Sequence, residues 1–440
     1  MSSLPSKVIR PEMKMSLPNF LKSPAARVPM SKGIPSEIID LPDPDEVIIP
    51  LEYPGQILFQ PMVDEGDEVV RNQVIGRSEL GNCVHASISG RVKEIRTIWS
   101  ARSFRVPAVV IERGDAPALS PEQTLSQCGL DLSSAGRLDL LKAGGVVSPW
   151  TLPGAGHIEG NPDDIPEIKH LVIWALNEET TIFSFESLLR ESPEQALSWI
   201  RRVCELTPSA LVHILVRRSQ ENWTRMTLGD EFQIVGIPEE YRHRIERVVI
   251  PRVTGIQVPN TRPFIEQGVA VMSMEQVQIA FDAFQGKPWT HKTVTLAGFG
   301  LDNPVTLRTP MGTTLDTLLK SQNMEAPNSG RVLMGGPMKG LAQFTDQTPV
   351  CKFHHGVFLV AENQLPSEVN LTCIGCGRCT QACPSNLQVH IIGRCVEFDL
   401  LLEAGSHHPE ACHECGLCAF VCPSHRPLVQ LVKIAKKYGG

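Results

Sequence analysis

Two cysteine-rich runs decide the fold of the C-terminal part of this chain: Cys373-Ile-Gly-Cys376-Gly-Arg-Cys379-Thr-Gln-Ala-Cys383-Pro384 and Cys412-His-Glu-Cys415-Gly-Leu-Cys418-Ala-Phe-Val-Cys422-Pro423. In each run, three cysteines are separated by two residues, and a fourth follows three residues later with a proline directly after it. Three thiolates at this spacing can wrap a tight loop around one corner of a metal cluster. The repeated spacing therefore predicts two metal clusters held by eight cysteines.

This spacing is that of bacterial ferredoxins, in which the fourth cysteine of each run reaches across to the cluster of the other run. It predicts two [4Fe-4S] clusters with crossed ligands. The first cysteine set is Cys373, Cys376, Cys379 and Cys422, and the second cysteine set is Cys383, Cys412, Cys415 and Cys418. Zinc is the competing interpretation, but a tetrahedral zinc site is typically built from two short pairs. A disulfide framework is disfavoured because the spacing is tight and the chain is large.

Composition narrows the class of protein. At 440 residues the chain is long enough for two to four domains, and its net charge of -7 argues against nucleic acid as a partner. No window approaches the roughly 18 uninterrupted apolar residues that cross a bilayer, so any membrane connection is expected to go through a partner or a surface contact. Five further cysteines are scattered and are predicted to be small buried hydrophobic residues: Cys83, Cys128, Cys204, Cys351 and Cys395.

The first half of the chain is predicted to contain two segments. Residues 1–35 are rich in proline, lysine and arginine, and they predict an irregular basic arm that is either disordered or a strap for a partner or an anionic membrane surface. Residues 36–115 show short strands and turns, and they resemble a barrel-sandwich domain of the biotinyl/lipoyl type. The hairpin tip at 78–82 has no lysine, so a structural or docking role is expected rather than that of a cofactor carrier.

An α/β domain is predicted for residues 135–288, followed by returning strands over 289–362. Apolar strands are expected at 171–176, 211–216, 248–250 and 269–272, with helices at 192–203 and 275–284. Neither a Rossmann G-x-G-x-x-G nor a P-loop is present. Residues 366–440 form the predicted two-cluster domain, in which 386–404 and 427–437 are expected to be helical.

This order of parts resembles the C subunit of the Rnf-type (Rsx) ion-translocating electron-transport complex. The resemblance rests on Leu41-Pro-Asp-Pro, Glu65-Gly66-Asp67, Gly335-Gly-Pro-Met and the two cysteine runs. It implies a multidomain α/β and α+β fold: a barrel-sandwich domain, an α/β flavin/NADH-type domain, a ubiquitin-like SLBB domain and a helical two-[4Fe-4S] ferredoxin-like domain. It also implies a peripheral protein on the cytoplasmic side of the plasma membrane, with membrane subunits and a soluble carrier such as ferredoxin, or NADH, as partners.

One region departs from the family pattern. Typical C subunits have a compact glycine-rich flavin loop, G-x-G-G-A-G-F-P, whose backbone N–H groups meet a phosphate. In this chain the matching glycines are dispersed as Gly144, Gly145, Gly154 and Gly156, with Pro149, Trp150 and Pro153 among them. The family's acidic strand end and its tyrosine loop survive only in 177–180 and 238–242. We therefore expect an eroded site that binds neither flavin nor NADH, with FMN kept as the less favoured alternative.

Three functions are compatible with this sequence. The favoured one is an electron-transfer subunit of an Rnf-type complex that relays single electrons through two clusters. The second is a flavin-dependent subunit of the same complex through which NADH delivers electrons. The third is a non-redox assembly protein in which the clusters only hold the fold together. No catalytic residue is predicted, and an NADH dehydrogenase activity of the chain itself is left open.

Overall fold

A computed structural model describes residues 37–53, 57–101, 105–146, 167–177, 179–259, 262–326, 330–365 and 370–439. The predicted basic arm over 1–35 lies outside these residues, as do Gly154, Gly156 and the three bulky residues between the dispersed glycines.

The first part of the fold is built from short antiparallel strands. After β1 (Ile38–Asp40), the strands are β2 (Glu46–Pro50), β3 (Glu52–Tyr53), β4 (Ile57–Leu58), β5 (Gln60–Pro61), β6 (Glu68–Val69), β7 (Val74–Arg77), β8 (Cys83–His85), β9 (Gly90–Trp99) and β10 (Arg105–Arg113). They form a four-stranded sheet β2-β10-β9-β6, a three-stranded sheet β5-β7-β8 and the pair β3-β4. A shared core of valine, isoleucine and leucine side chains packs between them. The β7–β8 hairpin turns at 78–82, where the sequence predicted a tip.

A parallel sheet covered by helices follows. Its elements are α1 (Pro121–Ser126), α2 (Arg137–Ala143), β11 (His170–Trp174), α3 (Ser184–Glu191), α4 (Pro193–Cys204), β12 (Leu211–Arg217), α5 (Glu221–Leu228), β13 (Gln233–Ile237), α6 (Glu246–Thr254), β14 (Val269–Ser273) and α7 (Met274–Ala283). The strand order is β13-β12-β11-β14, with every pair parallel. We call this unit the α/β domain. A short 3-10 turn, Tyr241–Arg244, links β13 to α6.

A mixed six-stranded sheet forms the next layer, in the order β1-β16-β15-β19-β17-β18. Its strands after β1 are β15 (His291–Gly298), β16 (Val305–Pro310), β17 (Arg331–Met334), β18 (Leu341–Gln343) and β19 (Gly356–Val360), with α8 (Leu315–Lys320) packed on its core. β1 joins it by parallel pairing with β16, so a strand from the start of the barrel-like region lies in this second sheet.

The cysteine runs lie in a small helical unit. Its helices are α9 (Arg378–Ala382), α10 (Val389–Glu397), α11 (Leu401–Ser406), α12 (Leu417–Phe420) and α13 (Leu428–Tyr438). The segment predicted as one helix over 386–404 is two helices, because the chain turns at Asp399, which has φ 57°. Among the described residues, no helix combines the length and the apolar character that a bilayer span requires.

Candidate metal centre

The two cysteine runs fold as copies of one loop. In each, a glycine with left-handed backbone begins a one-turn helix that carries the third cysteine: Gly377 (φ 69°) before α9 and Gly416 (φ 81°) before α12. A left-handed residue also follows each fourth cysteine at the same offset, Asn386 after the first run and His425 after the second. A residue with positive φ turns the chain sharply. Each run therefore forms a curled loop instead of a continuous helix, and its thiols point toward one another.

The fold brings Cys383 of the first run to the cysteines of the second run. Burial raises the pKa of the Cys418 thiol, and the neighbouring thiols of Cys415, Cys412 and Cys383 raise it further. Burial likewise raises the pKa of Cys415 to about 11, and Cys412 and Cys383 contribute in the same direction. Thiols that disfavour one another's ionisation lie close together. The four residues of the second cysteine set therefore form one group.

Cys422 of the second run, in turn, lies by the first run. Burial raises the pKa of Cys379, and the nearby Cys422 thiol adds to this effect. The side chain of Arg426 hydrogen-bonds to Cys373 and forms an ion pair with Glu397. A buried guanidinium at a thiol favours the thiolate, which is the form that binds iron.

Basic and N–H groups also surround the second set. The backbone N–H of Glu414 donates to Cys412 Sγ at 3.3 Å. Lys436 Nζ donates to the Cys412 carbonyl oxygen at 2.8 Å and to Glu414 Oε1 at 2.9 Å, and it therefore holds the loop onto α13. These donors fit a site that carries the negative charge of several thiolates.

The two sets differ in their exposure. In the first run Cys376 is exposed and Ile374 beside it is 70% exposed. In the second run Cys415 and Cys418 are buried. The loop of the first run is therefore the face of this unit that a partner can reach, whereas the second set faces the rest of the chain.

The cover over the second run comes from two other parts of the fold. The Tyr241 hydroxyl, in the turn after β13, donates to the Cys415 carbonyl oxygen at 2.8 Å. Met338, in the glycine loop after β17, approaches Gly416 so closely that a Cβ there would lie 2.4 Å from the Met338 carbonyl oxygen. Glycine is thus required at 416 both by its φ and by this contact.

The described part of the segment that matches the family's flavin loop is in contact with other parts of the protein. Lys352 Nζ donates to the Gly145 carbonyl oxygen at 2.6 Å, and a Cβ on Gly145 would lie 2.6 Å from that Nζ and 2.8 Å from the Cys83 carbonyl oxygen. Gly144 packs against Ala283 of α7. The backbone of these two glycines is therefore in contact with side chains and strand β8.

The two other segments that were matched to the family's flavin site also have structural partners. The buried Glu179 carboxylate accepts the backbone N–H groups of Met338 at 2.7 Å and Lys339 at 2.9 Å. Burial raises the pKa of Glu179, while these hydrogen bonds oppose the rise. Tyr241, the remnant of the family's tyrosine loop, anchors the second cysteine run instead. Glu178 lies outside the described residues.

Two groupings of the remaining cysteines have no sequence signal. Cys395 of α10, Glu403 of α11 and His407, which follows α11, place their ligand atoms within 4.8 Å of one another. Cys83 and Cys128, 45 positions apart, bring their Sγ atoms to 3.6 Å. The prediction of small buried residues describes Cys83 and Cys395, but Cys128, Cys204 and Cys351 are only partly buried, and the prediction does not anticipate either contact.

Comparison with known proteins matches both ends of this architecture. The family model of the RnfC barrel sandwich hybrid domain matches residues 28–116, and that of the 4Fe-4S dicluster domain matches residues 366–423. The barrel-sandwich and cluster-domain predictions are thereby confirmed, within a mixed α/β fold. The chain is, by class, a dicluster iron–sulfur protein that carries a barrel-sandwich domain.

Curated relatives extend the match over most of the chain. The C subunit of the proton-translocating ferredoxin:NAD(+) oxidoreductase complex of Clostridium ljungdahlii is 26% identical over 374 residues, which cover 82% of this chain and 81% of that protein. Its counterpart in the Na(+)-translocating ferredoxin:NAD(+) oxidoreductase complex of Acetobacterium woodii is 26% identical, with 96% and 95% covered. The C subunit of the ion-translocating oxidoreductase complex of Rhodobacter capsulatus is 27% identical, with 80% and 70% covered. Over most of its length, this chain is therefore similar to the C subunits of these complexes.

Proposed function

We propose that this chain is a peripheral electron-transfer subunit of an Rnf-type ion-translocating oxidoreductase complex. The names of its relatives support the complex, because they are C subunits of ferredoxin:NAD(+) oxidoreductases. The observation that carries the proposal is the grouping of Cys383 with Cys412, Cys415 and Cys418, together with the approach of Cys422 to Cys379.

The eight cysteines are the proposed ligands of two [4Fe-4S] clusters, in the crossed sets that the spacing predicts. A bound [4Fe-4S] cluster supplies one-electron chemistry, with a potential set by nearby charge, hydrogen bonds and solvent exposure. The chain's own residues provide those influences. Arg426 and Lys436 add positive charge, the Glu414 N–H donates to sulfur, and Tyr241 and Met338 pack on the loop that carries the buried Cys415.

The exposed loop of the first run is the proposed contact for a redox partner. Cys376 and Ile374 are exposed there, whereas three of the four cysteines of the second set are buried and Cys415 packs with the turn after β13 and the glycine loop after β17. The membrane subunits of the complex are the proposed partners that fix the chain to the cytoplasmic side of the membrane. A soluble carrier such as ferredoxin, or NADH, is the proposed partner that exchanges electrons with the membrane subunits through this chain.

The α/β domain is proposed to act as a scaffold and not as a flavin site. Support comes from the three remnants: Gly145 is packed against Lys352, Glu179 is bound to the glycine loop, and Tyr241 is bound to Cys415. A phosphate cradle needs free backbone N–H groups with open space in front of them, and the described glycines do not offer that space. The six-stranded layer corresponds, in this proposal, to the SLBB-like domain over 289–362.

One preparation tests these points together. Protein purified anaerobically should contain about eight irons and show [4Fe-4S] signals that dithionite reduces. Acid extraction should release no flavin fluorescence, and NADH alone should leave the clusters oxidised. Clusters that bleach with NADH in a flavin-containing preparation would support the alternative of a flavin-dependent entry subunit. Clusters that resist dithionite would support the non-redox assembly role.

A further inference from the structure

Cys83 and Cys128 form a thiol pair outside both cysteine sets. Their Sγ atoms are 3.6 Å apart, although one lies in β8 of the barrel-sandwich region and the other follows α1. Cys83 is 1% exposed, and Cys128 is half-buried and therefore accessible from solvent. A buried thiol directly behind an accessible one is the arrangement of a resolving and an attacking cysteine.

Arg77 at the end of β7 completes this pair. Its Nη2 donates to the carbonyl oxygen of Gln127, the residue before Cys128, at 3.0 Å. The hydrogen bond from Cys83, followed by the charge and hydrogen bond of Arg77, lowers the pKa of Cys128 to about 7. The hydrogen bond with Cys128, followed by burial, raises the pKa of the Cys83 thiol, which therefore keeps its proton.

In two other cysteines outside the two sets, the pKa of the thiol is raised instead of lowered. Burial raises the pKa of Cys204 to about 11 and that of Cys351 to about 12. Cys204 is half-buried like Cys128, so the two thiols differ in their charged neighbours more than in their access.

We propose that Cys83 and Cys128 are a peroxide-oxidisable dithiol, with Cys128 as the attacking thiol and Cys83 as the resolving thiol. The Cys128 thiolate attacks one oxygen of a hydroperoxide, the O–O bond breaks, and the leaving oxygen departs as water or an alcohol after it takes up a proton. Cys128 is then a sulfenic acid. Cys83 sulfur attacks Cys128 sulfur, the S–O bond breaks, a second water leaves with the Cys83 proton, and a disulfide remains. Two thiols are oxidised and one peroxide is reduced.

The bond requires the two sulfurs to move closer together. A disulfide has its sulfurs about 2.05 Å apart, so the sulfurs, now 3.6 Å apart, have to approach by roughly 1.5 Å. The bond would tie the β7–β8 hairpin to the segment that leads into α2 and Gly145. It does not depend on the proposed electron-transfer role, because neither cysteine belongs to a cysteine set.

The test uses the full-length protein purified anaerobically with its clusters. The protein is treated with one equivalent of hydrogen peroxide, its free thiols are alkylated, and its peptides are analysed by mass spectrometry. We expect a peptide pair linked through Cys83 and Cys128. In Cys83→Ser, Cys128 should stop at the sulfenic acid and be trapped by dimedone. The matched control Cys204→Ser should form the linked pair as the wild type does.

Alkylation rates provide a second readout that needs no oxidant. At neutral pH Cys128 should react with iodoacetamide on the order of 100-fold faster than Cys204, because its thiolate fraction outweighs its lower intrinsic nucleophilicity. Arg77→Gln should slow Cys128 and leave Cys204 unchanged. Equal rates for Cys128 and Cys204, or loss of cluster iron before any linked peptide forms, would overturn the proposal.

Discussion

Tyr241 and Arg242 connect the α/β domain to the second cysteine set. Tyr241 holds the Cys415 carbonyl oxygen, and Arg242, the next residue, is 5% exposed. The charges of Cys383 and Cys415 act on the Arg242 guanidinium, so these groups are close. A reduced cluster carries one more negative charge than an oxidised one, and a buried cation beside it favours reduction.

Replacement of Arg242 by glutamine should therefore lower the reduction potential of one cluster. We expect a shift on the order of 60 mV, a tenfold change in the equilibrium constant of a one-electron couple. An anaerobic redox titration followed by electron paramagnetic resonance measures it. Arg252→Gln is the matched control, because it removes the same charge from α6, where the side chain contacts His243. Equal shifts of the reduction potential in both variants would contradict a specific effect of Arg242, because they would reflect only the change in net charge.

His85 makes the fold sensitive to acid. Burial, followed by the charges of Lys352 and Arg77, lowers the pKa of His85 to about 3. A histidine in an unfolded chain has a pKa near 6.5. Below that pH, His85 therefore binds a proton in the unfolded chain but not in the folded protein. The free energy of unfolding therefore falls as the pH drops from 6.5 toward 3.

His85→Leu should remove this part of the acid sensitivity. Between about pH 7 and pH 5.5 the wild type should lose roughly 1.3 kcal/mol more stability than the variant. Denaturant unfolding at the two pH values measures the difference. Parallel losses in wild type and variant would mean that His85 titrates in the folded protein as it does in the unfolded chain.

At the level of residues, spacing in the sequence is informative where the ligands lie in one short loop. The cysteine runs predict two crossed sets of cluster ligands from the ferredoxin spacing, and these sets stay a prediction. The role of Tyr241 could not be predicted, because its partner Cys415 lies 174 positions away. The partner of Glu179 could not be predicted either, because its carboxylate accepts the backbone N–H of Lys339, 160 positions away.

At the level of elements, most predicted strands of the parallel sheet were found, and one was wrong. Residues 248–250 form part of α6, not a strand. Valine and isoleucine favour strands, but in this case their run lies in a helix that buries only Val249 and Ile250. The strand β13 was missed because Gly236 interrupts its apolar pattern, although glycine fits there since a Cβ would meet Glu221 at 2.1 Å.

The contact between α7 and β15 depends on a buried ion pair. Lys292 is fully buried and donates to Glu275, which also accepts the Thr293 N–H at 3.3 Å. His355 lies 3.0 Å from Lys292 Nζ. Two buried charges are stabilised by each other instead of by water. Removal of one therefore leaves the other buried without a compensating charge.

Lys292→Met should therefore destabilise the protein by about 3–5 kcal/mol. The double variant Lys292→Met/Glu275→Gln should recover most of this loss, because no buried charge remains and the amide oxygen can still accept from Thr293. Chemical unfolding of the three proteins measures both effects. A single variant as stable as the wild type would contradict the assignment of this pair as charged.

At the scale of the whole molecule, the layers are joined by contacts that span the chain. β1 pairs with β16, with Ile38 opposite Thr306, and the glycine loop after β17 reaches both Glu179 and Gly416. The sequence predicted the order of the parts but not these joints, because pairing between distant segments leaves no local periodicity. The glycine loop after β17 packs on Gly416 of the second run, whereas Cys376 of the first run is exposed.

The most direct test of the crossed cysteine sets is the iron content of two double variants. Cys383→Ala/Cys415→Ala removes two ligands of one proposed cluster, so about four irons should remain. Cys376→Ala/Cys383→Ala removes one ligand from each cluster, so the iron content should fall close to zero. If the first variant lost all its iron and the second kept about four, each run would bind its own cluster, and the crossed ligand sets would be contradicted.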